Sequence, residues 1–193
     1  RRIDGAPFIA MAVGDRGTVL RRAPDGTWRQ LKTDVRTRLR AVSGTGASRI
    51  FIVGDNGTIL RWDGTGLKRE QADTTAHLRG VYAVEHGPVY AVGDDGTLLT
   101  RSGSSWRKRK LGSTRLYDIS GRDGRVVAVG EGGRIWESTG GDFKQVRPPA
   151  RTRFEAVAID GRGDTYIVGG GSNLWVRARG EKTFEPVELR DVK

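Results

Sequence analysis

The chain of 193 residues has no cysteine, one methionine and two histidines. Without thiols there is no disulfide to staple the fold and no thiolate to ligate a metal or attack a carbonyl. His77 and His86 have no third ligand at a metal-binding spacing, so neither a zinc site nor any other cofactor is expected. No apolar run approaches the roughly 20 residues that a membrane-spanning helix requires, and the N-terminal stretch RRIDGAPFIAMAVGD lacks the continuous apolar core of a signal peptide. Acidic side chains are outnumbered, with 23 Asp and Glu against 34 Lys and Arg, which leaves a formal charge of +11. Such a balance favours acidic partners without naming one. A count of 29 glycines argues against a helical protein and for short strands joined by tight turns.

The strongest positive signal is a repeat. VGDRGTVL runs from Val13, VGDNGTIL from Val53 and VGDDGTLL from Val92, and two weaker copies follow, VGEGGRIW from Val129 and VGGGSNLW from Val168. The steps are 40, 39, 37 and 39 residues. Each copy sits in the same four-part pattern, clearest in the second: LRAVSG from Leu39, RIFIVG from Arg49, TILRW from Thr58 and LKRE from Leu67. Called strands A to D, these grade from an almost continuously apolar B, as in a strand buried on both faces, to a polar D. Asp-x-Gly between B and C predicts a tight hairpin, with Asp accepting a turn hydrogen bond and Gly supplying the positive φ. A second turn, before D, ends each time on a large apolar residue (Trp28, Leu67, Trp106, Phe143, Phe184), expected to plug the gap to the next sheet.

Radially stacked four-stranded sheets of about 40 residues, each burying its apolar face only against its neighbours, are propeller blades. The predicted fold is therefore all-β: a five-bladed β-propeller of four-stranded antiparallel blades in one domain, residues 1–193, with repeats at about 1–35, 36–74, 75–112, 113–149 and 150–193. Aligning Gly14 with Gly54 sets Arg1 opposite Ala41, so the first blade is incomplete at its N-terminal side.

The turn APDGTW, Ala23 to Trp28, is similar to the Asp-box of bacterial neuraminidase-type repeats, and the VGDxGTIL copies resemble repeats of the photosystem II assembly factor family. The likeness spans the whole chain. It implies a bacterial propeller scaffold, exported to the periplasm or cell exterior, in which the Asp-box is structural. The turns around Gly103, Gly141 and Gly180 lack the box's Asp, which weighs against a shared carbohydrate role. A sialidase relationship would imply an arginine triad above a Tyr and Glu pair, and no such set is placed here. The arginines instead recur at repeat positions.

Glycoside hydrolysis needs two carboxylates facing each other across about 5 to 10 Å. Asp118 and Glu155, both on strand A of adjacent blades, are the one pair worth examining. Asp118 stands where other repeats keep Ala41, Gly80 and Ala156, so it could hold a cation or a sugar hydroxyl. The plainer expectation is an ion pair with Arg115 or Arg79. Just before strand A every visible copy is basic: Arg38, His77, Arg115 and Arg153. These are expected near the acidic residues of the B–C turns, Asp15, Asp55, Asp94 and Glu131. Each either pairs with a turn acid or, with Arg36, Arg40, Arg79 and Arg151, contributes to a positive surface. The candidate partner-binding set is thus Arg38, Arg40, His77, Arg79, Arg115, Arg153 and Asp118, with no catalytic residue assigned. The favoured reading is a non-enzymatic scaffold for a protein partner. A lectin-like glycan module is the alternative, a glycoside hydrolase comes third, and sequence-specific nucleic-acid recognition is ranked below them, since the tryptophans recur at packing positions.

Overall fold

A computed structural model describes residues 9–170 and 173–188. Gly171, Ser172 and Leu189, which belong to the expected fifth repeat, lie outside the described residues. The chain divides into two compact units, Arg1–Ala91 with Leu99–Lys108, and Val92–Leu98 with Arg109–Lys193.

The strands fall into five sheets in sequence order. The first comprises β1 (Met11–Val13), β2 (Val19–Arg22) and β3 (Trp28–Gln30), and the second β4 (Leu39–Gly44), β5 (Ile50–Gly54), β6 (Ile59–Trp62) and β7 (Leu67–Glu70). β8 (Leu78–Ala83), β9 (Val89–Gly93), β10 (Thr97–Ser102) and β11 (Ser105–Lys110) form the third. The fourth holds β12 (Leu116–Arg122), β13 (Arg125–Gly130), β14 (Ile135–Ser138) and β15 (Lys144–Val146), and the fifth β16 (Phe154–Ile159), β17 (Thr165–Gly169), β18 (Asn173–Arg177) and β19 (Glu185–Pro186). Each sheet runs in chain order, A-B-C-D, and the first shows B, C and D among the described residues. In the second repeat the strands lie within a residue of the predicted segments.

The core lies between sheets, which explains the apolar B strands. On β5, Ile52 faces the first blade with Val19, Val35, Leu39 and Leu60. Its neighbours Phe51 and Val53 face the third blade, with Leu78, Val81, Val89 and Leu99. Successive strand side chains point to opposite faces, so a strand sandwiched on both sides must be apolar at every position. Full burial of a side chain such as Phe51 or Ile52 contributes about 2 kcal/mol or more. In the second unit the same arrangement joins Val127, Val129 and Ile135 to Phe154, Ile167, Trp175 and Phe184, with Phe154 and Trp175 edge to face at 5.3 Å.

The B–C connection differs from a two-residue hairpin. It is a single 3-10 turn at Asp15–Gly17, Asp55–Gly57, Asp94–Gly96 and Glu131–Gly133. The main-chain oxygen of the acidic residue closes the turn, as in Thr58 N–H to Asp55 O at 3.1 Å, which frees the carboxylate for other work. Positive φ falls on two residues, the middle one (Arg16, Asn56, Asp95, Gly132) and the glycine after it. That glycine is required for a second reason. A Cβ on Gly57 would sit 2.0 Å from the carbonyl oxygen of Thr74, and one on Gly133 2.4 Å from that of Ala150, in the segment leading into the next blade. Gly57 N–H donates to Ala76 O in that segment at 2.9 Å. The turn recurring in the first four repeats is therefore a main-chain joint between successive blades.

The apolar residue that opens strand D behaves unevenly. Trp106 packs on Phe51 at 6.3 Å and Phe184 is buried. Trp28, however, is 50% exposed, so it does not plug an interior gap.

Candidate functional site

Strand A carries a register shift at one repeat position, between Leu39 and Ala41, Leu116 and Asp118, and Phe154 and Ala156. A bulge re-aims the extra side chain, and here the extra residues are Arg40, Tyr117 and Glu155. Arg40 meets the acid of its own blade's B–C turn, while Tyr117 and Glu155 meet the basic residue two positions earlier.

In the first unit the Arg38 Nε lies 3.1 Å from Asp15, across an exposed gap. Arg40 clamps Asp55 with two bonds, Nε to Oδ1 at 2.5 Å and Nη2 to Oδ2 at 3.2 Å, and this pair is largely buried. His77 Nδ1 stands 3.2 Å from the same carboxylate and lies 3.3 Å from the main-chain N–H of Asn56. Burial alone would raise the pKa of Asp55, but the Arg40 hydrogen bond and the charges of Arg40, His77 and Arg38 outweigh it and hold the carboxyl low. Arg79, at the equivalent place in β8, is half-buried and engaged.

In the second unit the Arg115 Nε lies 3.5 Å from Asp94, and hydrogen bonding to Tyr117 followed by the charge of Asp94 raises its pKa. The series Arg38 to Asp15, His77 to Asp55 and Arg115 to Asp94 is thus one repeated contact with the preceding turn. Arg153 departs from it: it bonds the carboxylate of Glu155, two residues on, and its guanidinium sits 5.8 Å from the Tyr117 ring centroid.

Asp118 was expected beside an arginine. Its Oδ1 instead accepts from the Ile119 N–H and its Oδ2 from the Val157 N–H, both at 2.9 Å. Burial raises its pKa, and the two amide bonds offset part of that. The carboxylate is a clasp joining strand A of the fourth blade to strand A of the fifth, a role open to it because the bulge turns it toward the neighbouring backbone. Asp118→Ala leaves two part-buried amides without an acceptor and is expected to cost about 2 kcal/mol, measured by urea unfolding. With Glu155 committed to Arg153 and Asp118 to main-chain amides, this pair is not a free acid and base couple. Among the described residues, no three His, Asp or Glu side chains are grouped to hold a metal.

No protein-family model and no curated protein matches the chain. Solved structures do. YCF48 bound to D1 peptide superposes with a TM-score of 0.70 at 18% identity, over 93% of this chain and 63% of that one. Virginiamycin B lyase from Staphylococcus aureus, in its selenomethionine form, reaches 0.79 at 12% identity, over 98% of this chain and 76% of that one. The RRP9 WD40 repeats give 0.76 at 10% identity, over 93% and 62%. The chain adopts a β-propeller fold. It spans about 63% of the length of the peptide-bound YCF48 structure, and the neighbours include both binding propellers and an enzyme, so the propeller fold alone does not fix an activity.

Sequence reasoning missed one set of side chains. Arg49 and Arg125 occupy one repeat position, at the start of strand B, and donate to carbonyls of the next blade's A–B turn: Arg49 to Val84 O at 2.8 Å and Gly87 O at 2.5 Å, Arg125 to Gly163 O at 3.1 Å. Their recurrence 76 residues apart, two repeats on, was the available signal.

Proposed function

We propose that this propeller is a non-enzymatic scaffold whose arginines just ahead of strand A bind acidic segments of a protein partner, Arg36 within the first unit and Arg151 within the second, each unit by itself. The observation that carries the reading is a surplus of cation after internal pairing. Asp15, Asp55 and Asp94 engage Arg38, His77 and Arg115. Arg36 in the first unit and Arg151 in the second, each two residues before a paired arginine, are exposed and bond to nothing among the described residues. Unpaired surface cations beside ion pairs leave a positive potential that attracts an anionic chain and sets its association rate. The structural likeness to a YCF48 bound to a peptide supports a polypeptide as the occupant.

Fluorescence anisotropy with a labelled Glu-rich peptide and a Lys-rich control tests it. The Glu-rich peptide is expected to bind, to weaken steeply as salt rises from 50 to 300 mM, and to lose about 2- to 5-fold in affinity for each of Arg36→Ala and Arg151→Ala, in line with about 0.5 to 1 kcal/mol per exposed charge. Equal binding of both peptides, or salt-insensitive binding, contradicts the reading. The superposition on a streptogramin B lyase favours a second reading, a lyase acting on a streptogramin B, and incubation with a streptogramin B is its direct test.

A further inference from the structure

The interblade arginines recur with different partners, and the difference points to a ligand. In the fourth blade Arg125, Glu137 and, from the fifth, Arg177 form a triad. Glu137 accepts from Arg125 Nε through Oε1 and from Arg177 Nη2 through Oε2 at 2.7 Å. Two repeats earlier the same three positions are Arg49, Arg61 and Arg101. The acid at the middle position has become a third arginine.

The local geometry is otherwise matched. Phe51 pairs with Arg61 across β5 and β6 as Val127 pairs with Glu137 across β13 and β14, so Arg49, Phe51 and Arg61 share one sheet face. Arg49 and Arg101 both lie against the Phe51 ring, at 5.6 and 5.2 Å. Arg101 has its own acid, Glu70, at 2.8 Å through two bonds. Arg49 has none: its Nη atoms donate to Thr45 Oγ1 and two carbonyls, and its Nε, whose counterpart in Arg125 meets Glu137, donates to no described residue. The Arg61 side chain forms no hydrogen bond or ion pair among the described residues, and its Nε is buried without a partner. Burial, then the charges of Arg101 and Arg61, push the Arg49 pKa down, as expected where like charges crowd without a counter-ion.

We propose that Arg49 and Arg61 form a carboxylate-binding site, in which the ligand supplies to the second blade the charge that Glu137 supplies to the fourth. Guanidinium donors left without a partner, Arg49 Nε and Arg61 Nε among them, suit a carboxylate oxygen, and in the fourth blade a carboxylate meets Arg125, the counterpart of Arg49. The site is independent of the peptide-binding reading, because a free small acid can fill it as well as a glutamate side chain.

Thermal unfolding of the full chain, with sodium chloride exchanged for sodium acetate at constant ionic strength, provides the test. Wild type is expected to gain a few degrees in Tm, saturably. Arg61→Glu rebuilds the fourth-blade triad and is expected to start higher and lose the acetate response. Arg61→Met, which removes the cation without adding an acid, is expected to lose the response as well. An unchanged wild-type Tm, a response in Arg61→Met equal to wild type, or a larger effect of phosphate than of acetate would overturn the assignment. Titration with N-acetylglutamate amide separates the sources: saturation well below the acetate concentration identifies a protein side chain, and saturation at the same concentration a free acid, each with a carboxylate in the site.

Discussion

Gly133→Ala is expected to destabilise the protein by about 3 kcal/mol or more, while Gly132→Asn, its neighbour in the same turn, should change stability by no more than about 0.5 kcal/mol. Both glycines have positive φ, 67° and 78°. A side chain in that region costs about 1 to 2 kcal/mol, and less for Asn, which other repeats already place there as Asn56 or Asp95. The difference lies in space. Nothing lies within 4 Å of a Cβ on Gly132, whereas a Cβ on Gly133 would meet Ala150 O at 2.4 Å, a main-chain atom that cannot rotate away. Paired urea denaturation of the two variants checks this, and similar midpoints would contradict the reading of the turn as a joint between blades.

Glu137→Gln is expected to cost about 3 kcal/mol, because it leaves two guanidinium groups facing each other without the anion between them. Breaking one member of a buried ion pair costs about 3 to 5 kcal/mol, and the low end applies because the triad is partly accessible. For a chain of this size that lowers Tm by roughly 6 to 12 °C. The effect is pH-dependent with a defined sign. Burial alone would raise the Glu137 pKa, but hydrogen bonds from Arg177 and Arg125 and their charges win, so the folded-state value lies below the ordinary 4.5. Stability from this group is present above about pH 4.5 and lost as pH falls through the lower folded-state value. Wild type and Glu137→Gln are therefore expected to differ most in Tm near pH 7 and to converge as pH falls through the lowered folded-state value. A constant offset across that range would show that the loss comes from packing rather than charge.

The blades were legible because their markers are main-chain requirements. Val-Gly-Asp-x-Gly recurs where the backbone of one blade touches the next and admits no side chain, so selection for the fold writes itself into identity. Side-chain partnerships were less legible. The Asp of that motif was read as a turn acceptor, yet its main-chain oxygen closes the turn and its carboxylate meets an arginine or histidine, because a 3-10 turn needs only the carbonyl. Asp118 was assigned an arginine and found two amides, since a one-residue bulge in strand A decides where it points and nothing in the local sequence announces the bulge. Trp28 was assigned to packing and stands half in solvent. The basic residue ahead of strand A is expected near a turn acid in all four copies; Arg38, His77 and Arg115 stand there, and Arg153 bonds Glu155, two residues along the strand. The Arg49 and Arg125 bonds escaped notice because they occur in two of the five repeats.

The central functional claim is that the segments just ahead of strand A receive an acidic polypeptide. Amide hydrogen exchange on the full chain, with and without a saturating Glu-rich peptide, addresses it most directly. Slowed exchange over residues 36–40 and 151–155, with the D strands unchanged, is the expected result. Protection confined to β7, β11 and β15, or no protection at a concentration that saturates binding, would contradict it.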